Sequence, residues 1–262
     1  MKLSIITVTY NSEQFLEEAI ESVKNQSCKD YEYIIIDGGS TDKTLEIIKK
    51  YYNEGVVSKY ISEPDKGIYD AMNKGLKLAS GEIISFLNSD DMYFDNTIFC
   101  KVLEAFQENN IEALYGDLVY VSRKNKNKIV RYWKTGKLDL RKIKYGWQIP
   151  HPAFFISSKV AKELEFDINY RIAADHDFIL KALKHAVKCH YVNYPIVKMR
   201  FGGKSTENIH NMKNGNSEIM DIIRKNGFDI SIGYYFYRPF QRLLQIIRGL
   251  YFNVNNRLEE QK

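Results

Sequence analysis

The chain opens with an apolar run, Leu3-Ser4-Ile5-Ile6-Thr7-Val8-Thr9-Tyr10, that stops abruptly at Asn11. Its β-branched character and lack of a polar face predict a strand buried on both sides. Phe15, Leu16, Ala19, Ile20 and Val23 then recur at helical spacing, with Asn11 or Ser12 as the cap and Glu13, Glu17 and Glu18 early in the helix. The alternation repeats. Tyr33 to Ile36 predicts a second strand ending at Asp37, and after Gly38-Gly39-Ser40 a helix starts near Thr41-Asp42 and uses Leu45, Ile47 and Ile48. Val56 to Ile61 predicts a third, shorter strand. The turn Glu63-Pro64-Asp65-Lys66-Gly67 leads to a helix over Ile68 to Ala79, and Glu82 to Leu87 forms the next buried strand, which runs into Asn88-Ser89-Asp90-Asp91. Strand–helix repeats of this kind imply a mostly parallel sheet flanked by helices, with ligands at the carboxyl ends of the strands. Three of those ends carry polar, turn-prone residues.

The second half is less regular. Ala113 to Val121 and Ile129 to Trp133 predict strands joined by a polar loop at 123–128, and Trp147 to Ile156 a loop entering a strand. Ala173-Ala174-Asp175-His176-Asp177 opens a helix, and a further strand runs from Val187 to Tyr191. Residues 202–216, rich in Gly and Asn, are expected to be mobile, and 217–262 mainly helical. This divides the chain into a domain over 1–215 (a ligand-binding half, 1–95, and a second half, 96–215) and a helical extension over 216–262.

Composition is ordinary for a globular chain of 262 residues, 44% hydrophobic and 27% charged. Cys28, Cys100 and Cys189 are widely spaced and are expected to be reduced thiols. Neither a signal segment nor a membrane-spanning run is legible, which points to a cytoplasmic location. The formal charge of +5 is unevenly placed: residues 123–144 hold ten Lys/Arg against one acid. Such a segment suits an anionic partner, although no nucleic-acid-binding module is present.

The carboxyl end of the fourth strand raises the chemical question. Two adjacent carboxylates beside a core strand repel each other and resist desolvation. A divalent cation such as Mg²⁺ or Mn²⁺, shared with ligand phosphates, would compensate them. Capping of the following helix by Asp91 is the alternative. Asp37 could accept a hydrogen bond from a base or ribose, or serve its turn. The Gly38-Gly39 spacing matches neither a dinucleotide fingerprint nor a P-loop.

Taken in order, SIITVTYNSEQFLEEAIESVKNQS, IIIDGGSTDKT and EPDKGIYDAMNKGLKLASGEIISFLNSDD, with HPAFF and AADHDF further on, resemble the inverting family 2 glycosyltransferases of GT-A fold. The resemblance spans most of residues 1–200, and the EPDKGIYDAMNKG form is most like members from O-antigen, capsule or colanic acid clusters. It implies a nucleotide-sugar donor, with Thr9, Tyr10, Asn11, Asp37, Lys66 and Asn88 around the nucleotide and Tyr10 against the base. Gly38 stands where the family has a second acid that often contacts the base, and Asn88 where it has the first acid of Asp-x-Asp. Metal ligation then falls to Asp90 or Asp91. The general base aligns with Asp175, with Asp177 as its rival, and His151 falls on the acceptor side. His176 is expected to point away from the base.

The segment Tyr234 to Phe252 mixes aromatic, aliphatic and Arg residues. It is either a helix packed on the domain or one lying on the inner membrane surface with its Arg residues at headgroups. The latter would suit a polyprenyl-diphosphate-linked sugar acceptor. Rival readings are a sugar nucleotidyltransferase, which would need a Gly-rich basic loop after the first strand, and a noncatalytic nucleotide-sugar-binding component, which would need no base.

Overall fold

The computed structural model describes residues 1–185, 188–202 and 209–259. β1 (Leu3–Thr9), β2 (Tyr31–Asp37), β3 (Lys59–Ser62) and β4 (Ile83–Phe86) form the parallel half of the sheet in the order β3-β2-β1-β4. α1 (Leu16–Lys24), α2 (Thr44–Asn53) and α3 (Ile68–Leu78) are its crossovers. β5 (Met92–Tyr93) and α4 (Ile98–Asn109) follow, then the hairpin of β6 (Ala113–Ser122) and β7 (Asn125–Trp133). β8 (Phe154–Ser157), the short α5 (Ser158–Ala161), α6 (Ala174–His185) and β9 (Cys189–Arg200) complete a nine-stranded mixed sheet among the described residues. β8 runs antiparallel between β4 and β6, which extends the sheet without a parallel crossover. Two helices, α7 (Ile209–Lys225) and α8 (Tyr234–Glu259), close the chain.

The apolar runs of β1 and β2 are sorted by the pleat. Ile6, Val8, Ile34 and Ile36 pack toward α3 and α6, while Leu3, Ile5, Tyr33 and Ile35 pack toward α1, α2 and α4. Both faces of the sheet are thus covered, as the unalternating sequence requires.

Several expectations shift. α1 starts at Leu16 because residues 12–15 form a turn in which Ser12 O accepts from Phe15 N and Leu16 N. The polar stretch at 123–128 is mostly strand, since β7 begins at Asn125 on the exposed end of the hairpin. The strand expected from Val187 begins at Cys189, and Val187 lies outside the described residues, as do 203–208 of the stretch expected to be mobile. Residues 209–216 are helical, in the first half of α7.

The cysteine expectation is overturned for two of the three. Cys28 and Cys100 form a disulfide with Cα atoms 5.3 Å apart, joining the α1–β2 loop to α4. Their separation of 72 residues hides a proximity that only the sheet order creates. Cys189 is a free thiol, and burial pushes its pKa up to about 12.

Candidate active site

The loops after β1, β2 and β4 are tied to one another. Asn11, at φ +49°, donates its N–H to Ser40 Oγ (2.8 Å) and accepts from Thr41 N at Oδ1 (2.9 Å). Ser12 N donates to Thr44 Oγ1 (2.7 Å), and the Ser12 and Ser89 hydroxyls are 3.0 Å apart. Thr9 is buried, its carbonyl accepting from Gly38 N (2.9 Å) and its hydroxyl lacking a protein partner. Beside it the Tyr10 ring is 51% exposed, a flat apolar surface at the mouth of the crevice.

Asp37 is fully buried. One oxygen accepts from Ser40 Oγ (2.5 Å) and the other from Ser62 Oγ (2.6 Å), so this carboxylate ties the β2 turn to β3. Gly38 has no side chain, yet a carboxylate stands in its place. A Cβ built on Gly38 would lie 2.5 Å from Asp65 Oδ2 and 3.5 Å from the Tyr10 ring. Asp65 Oδ1 is held by Gly67 N (2.8 Å). Sequence reasoning missed Asp65, although its turn motif was in view, because proximity across two loops has no signature in spacing. Lys66, next to it, is exposed.

At the end of β4 the two carboxylates differ. Asp91 is fully buried, accepting from Asn88 Nδ2 (2.8 Å) and from the backbone N of Arg200 (3.2 Å). Burial, and then the charge of Asp90, push its pKa well above the usual carboxylate range. The Arg200 guanidinium, buried against the Phe15 ring and bonded to Glu18 (2.7 Å), opposes that rise. Part of the positive charge that the sequence demanded is therefore protein. Asp90 is half-buried. Among the described residues no group of three or more His, Cys, Asp or Glu could hold a metal ion. This donor set suits a hard cation that completes its shell with ligand phosphates and water, and not one held by protein alone.

His151 and Asp175 reach the same sheet edge from the second half. β8 is antiparallel to β4, so the residues before Phe154 lie beside Phe86, and the His151 ring is 5.3 Å from the Phe86 ring. Burial lowers the His151 pKa, the charge of Asp175 opposing the shift, and Nε2 has no hydrogen-bond partner among the described residues. Asp175, in the first turn of α6, accepts from the Tyr69 hydroxyl (3.3 Å). Desolvation raises its pKa, while His151, the His176 N–H and Tyr69 pull it down. Tyr69, at the start of α3, was also missed. Its ring and that of Phe178 both stack on Phe166, at 5.9 and 4.3 Å, forming an aromatic wall. Asp177 faces away into the protein: it accepts from Asn226 Nδ2 (2.8 Å) and pairs with Lys181 (2.5 Å), fastening α6 to the end of α7. His176 is buried too, its pKa lowered to about 3 by desolvation and by Arg238.

This arrangement can be compared with known proteins. Residues 4–164 match the family described as glycosyl transferase family 2. The chain belongs to that family. A PGL/p-HBAD biosynthesis glycosyltransferase of Mycobacterium bovis is 30% identical over 207 residues, covering 77% of this chain and 78% of the relative. An uncharacterised glycosyltransferase of Mycobacterium tuberculosis is 35% identical over 76% of this chain and 74% of its own length. The fold is that of S. aureus TarS 1–349 in complex with UDP-GlcNAc (TM-score 0.67, 21% identity, 88% of this chain and 68% of that one), although the chain spans only 41% of the longer TarS structure. It is also that of glucosyl-3-phosphoglycerate synthase from M. tuberculosis in complex with Mn²⁺, UDP and phosphoglyceric acid (TM-score 0.61, 15% identity, 88% and 80%). The protein is thus a family 2 glycosyltransferase with a GT-A-like sheet. These relatives do not single out O-antigen or capsule clusters.

Proposed function

We propose that this family 2 enzyme transfers one sugar, with inversion, from a nucleoside-diphosphate donor to a hydroxyl of a lipid-linked saccharide in surface polysaccharide or glycolipid assembly, working at the inner face of the membrane. The observation that carries the reading is the contrast between two carboxylates on one helix turn. Asp175 is partly exposed, with a raised pKa and a single, long side-chain hydrogen bond, whereas buried Asp177 is engaged by Asn226 and Lys181. A base must be accessible to an acceptor hydroxyl and basic enough to take its proton, and partial exposure with a raised pKa favours Asp175 over Asp177 for that part. The hydroxyl oxygen attacks the anomeric carbon as the bond to the diphosphate breaks on the opposite side, and its proton passes to Asp175.

The donor would lie across the ends of β1, β2 and β4, its base on the Tyr10 ring and its edge N–H groups toward Asp65. Asn11, Asp37 and Asn88 act mainly by fixing the loops, and Lys66 is long enough to reach the diphosphate from its turn. With both oxygens of Asp91 engaged, Asp90 would hold the Mg²⁺ or Mn²⁺, with Asp91 setting its orientation. When bound, the cation would neutralise charge on the departing diphosphate. His151, at the aromatic wall, borders the acceptor side. The test is a panel of nucleotide-sugars incubated with Mn²⁺ and a polyprenyl-diphosphate-sugar, read by nucleoside diphosphate release and product mass. Release with one donor and a product of opposite anomeric configuration is expected. A retained configuration, or release that ignores every lipid-linked acceptor, contradicts the reading.

A further inference from the structure

α8 lies across the outside of the sheet. Gly249 sits so close to β7 that a Cβ there would be 2.9 Å from the Arg131 backbone, and Asn253 Oδ1 accepts from Ile129 N (3.2 Å). The inward face carries Tyr234, buried Gln245 and Gly249. Over residues 235–251 the outward face is apolar. There Tyr235, Phe236, Pro239, Phe240, Leu243, Ile246, Ile247, Leu250 and Tyr251 sweep an arc of roughly 160° at 3.6 residues per turn, with no charged residue of that span within it. Exposures of 72% at Phe236, 61% at Leu250 and 69% at Tyr251 leave most of this surface in water.

The Arg residues expected at headgroups are not on that arc. Arg238 bonds Asn216 and the Tyr234 hydroxyl and, like Arg248, is half-buried, while Arg242, at the arc's edge, is exposed. Cations come instead from the basic segment that the sequence singled out. A 3₁₀ turn over Leu140–Tyr145 packs beside the start of α8, with Ser231 N donating to Lys144 O (3.0 Å) and the Tyr145 and Tyr237 rings 6.3 Å apart. Lys134, Lys137, Arg141, Lys142 and Lys144 are all exposed there, against the single acid Asp139. Leu138 and Leu140 are exposed among them.

We propose that α8 and the 134–144 segment together form one docking face for an anionic lipid bilayer, the arc entering the interface and the lysines meeting headgroup phosphates. The inference rests on this surface alone and holds whatever sugar is transferred. A second copy of the chain would fit less well: paired helices bury a narrow stripe flanked on both sides by charges that choose the partner, and this arc is broad and carries an exposed charge, Arg242, at one edge alone. A spanning helix is excluded, since no described helix is long and apolar enough to cross a membrane. Amphipathic helices of this composition lie in the interface plane.

The experiment is sedimentation of the full chain with vesicles of phosphatidylcholine, with and without phosphatidylglycerol, beside F240D/I247D and K142Q/K144Q. All four substituted positions are on the surface, and unchanged thermal unfolding midpoints verify folding. Strong binding to anionic vesicles is expected, weakened by salt. It should drop on the order of tenfold or more in F240D/I247D, and by about fivefold for each lysine removed in K142Q/K144Q. No sedimentation at low salt overturns the proposal. So does a concentration-dependent dimer in solution that F240D/I247D dissolves while vesicles are ignored, which would make the arc a self-association surface.

Discussion

At the scale of single residues, Asp175 and Asp177 are two carboxylates two positions apart whose surroundings assign them opposite work. Asp175→Asn keeps the size and hydrogen bonding of the side chain but removes its basicity, so turnover should fall on the order of 10²–10⁴ while donor affinity stays near wild type. Asp177→Asn should cost stability through its ties to Asn226 and Lys181, with much less effect on turnover per folded molecule. Transfer rate and donor titration on both variants check this. The pH profile gives an independent readout. Only the ionised carboxylate accepts a proton and burial raises the Asp175 pKa, so activity should be lost, as pH falls, at a higher pH than an ordinary aspartate would set. Tyr69→Phe removes a hydrogen bond to the charged form, and the acid limb should then move to higher pH. Asp65 supplies a further residue-scale test. Its Oδ2 fills the notch at Gly38 beside Tyr10, and a charge-assisted bond to a base N–H is worth roughly 1.5–3 kcal/mol. Asp65→Ala should weaken nucleotide binding about 10- to 100-fold, with uridine and guanosine diphosphates compared by calorimetry; equal affinity in wild type and variant would remove Asp65 from the pocket.

At the scale of elements, the crossovers around β1 hang on one buried acid. Glu32, in β2, accepts from Ser4 Oγ (2.6 Å), Ser80 Oγ (2.8 Å) and Gly81 N (3.2 Å) and pairs with Lys59 (3.1 Å), so it holds β1, β3 and the α3–β4 turn in register. Burial alone would raise its pKa, but these bonds outweigh it and hold the group at about 2. A depressed carboxylate contributes stability that is present above its unfolded value of about 4.3 and is lost as pH falls through its folded one. Acid unfolding should therefore steepen between those two values, and Glu32→Gln should be less stable at neutral pH by about 2–4 kcal/mol. Denaturant titrations at neutral and acid pH check both, the difference between the proteins shrinking at low pH. The elements were also where the sequence was most readable. Periodicity in Phe15-Leu16-Ala19-Ile20-Val23 and the unbroken runs of β1 and β2 describe local geometry, and the parallel half of the sheet follows from them. The Cys28–Cys100 bridge, the strand character of Asn125–Lys128 and the helix over 209–216 depend on neighbours distant in sequence, and local pattern misjudged all three.

For the whole molecule, the candidate site is a crevice along the carboxyl ends of β1, β2 and β4, closed on one side by His151 and Asp175 from the second half. The sequence made most of its named residues legible because strand ends, turns and helix starts are marked by composition. It did not show how these carboxylates are held: Asp37 accepts from Ser40 and Ser62, Asp91 from Asn88 and Arg200, and neither partnership has a spacing that a reader could find. Asp65 and Tyr69 lay inside a recognised motif without a role, since their partners, Gly38 and Asp175, arrive from other loops. The central claim is that a nucleoside-diphosphate donor binds at this edge through a divalent cation held by Asp90. Its most direct test is calorimetric titration of UDP and GDP into the wild-type chain and into Asp90→Asn, each with Mn²⁺ and with EDTA. The account predicts Mn²⁺-dependent binding of one of the two nucleotides by the wild type, falling to the EDTA level in Asp90→Asn. Wild-type binding of the same strength in EDTA, or undiminished Mn²⁺-dependent binding by Asp90→Asn, would contradict it.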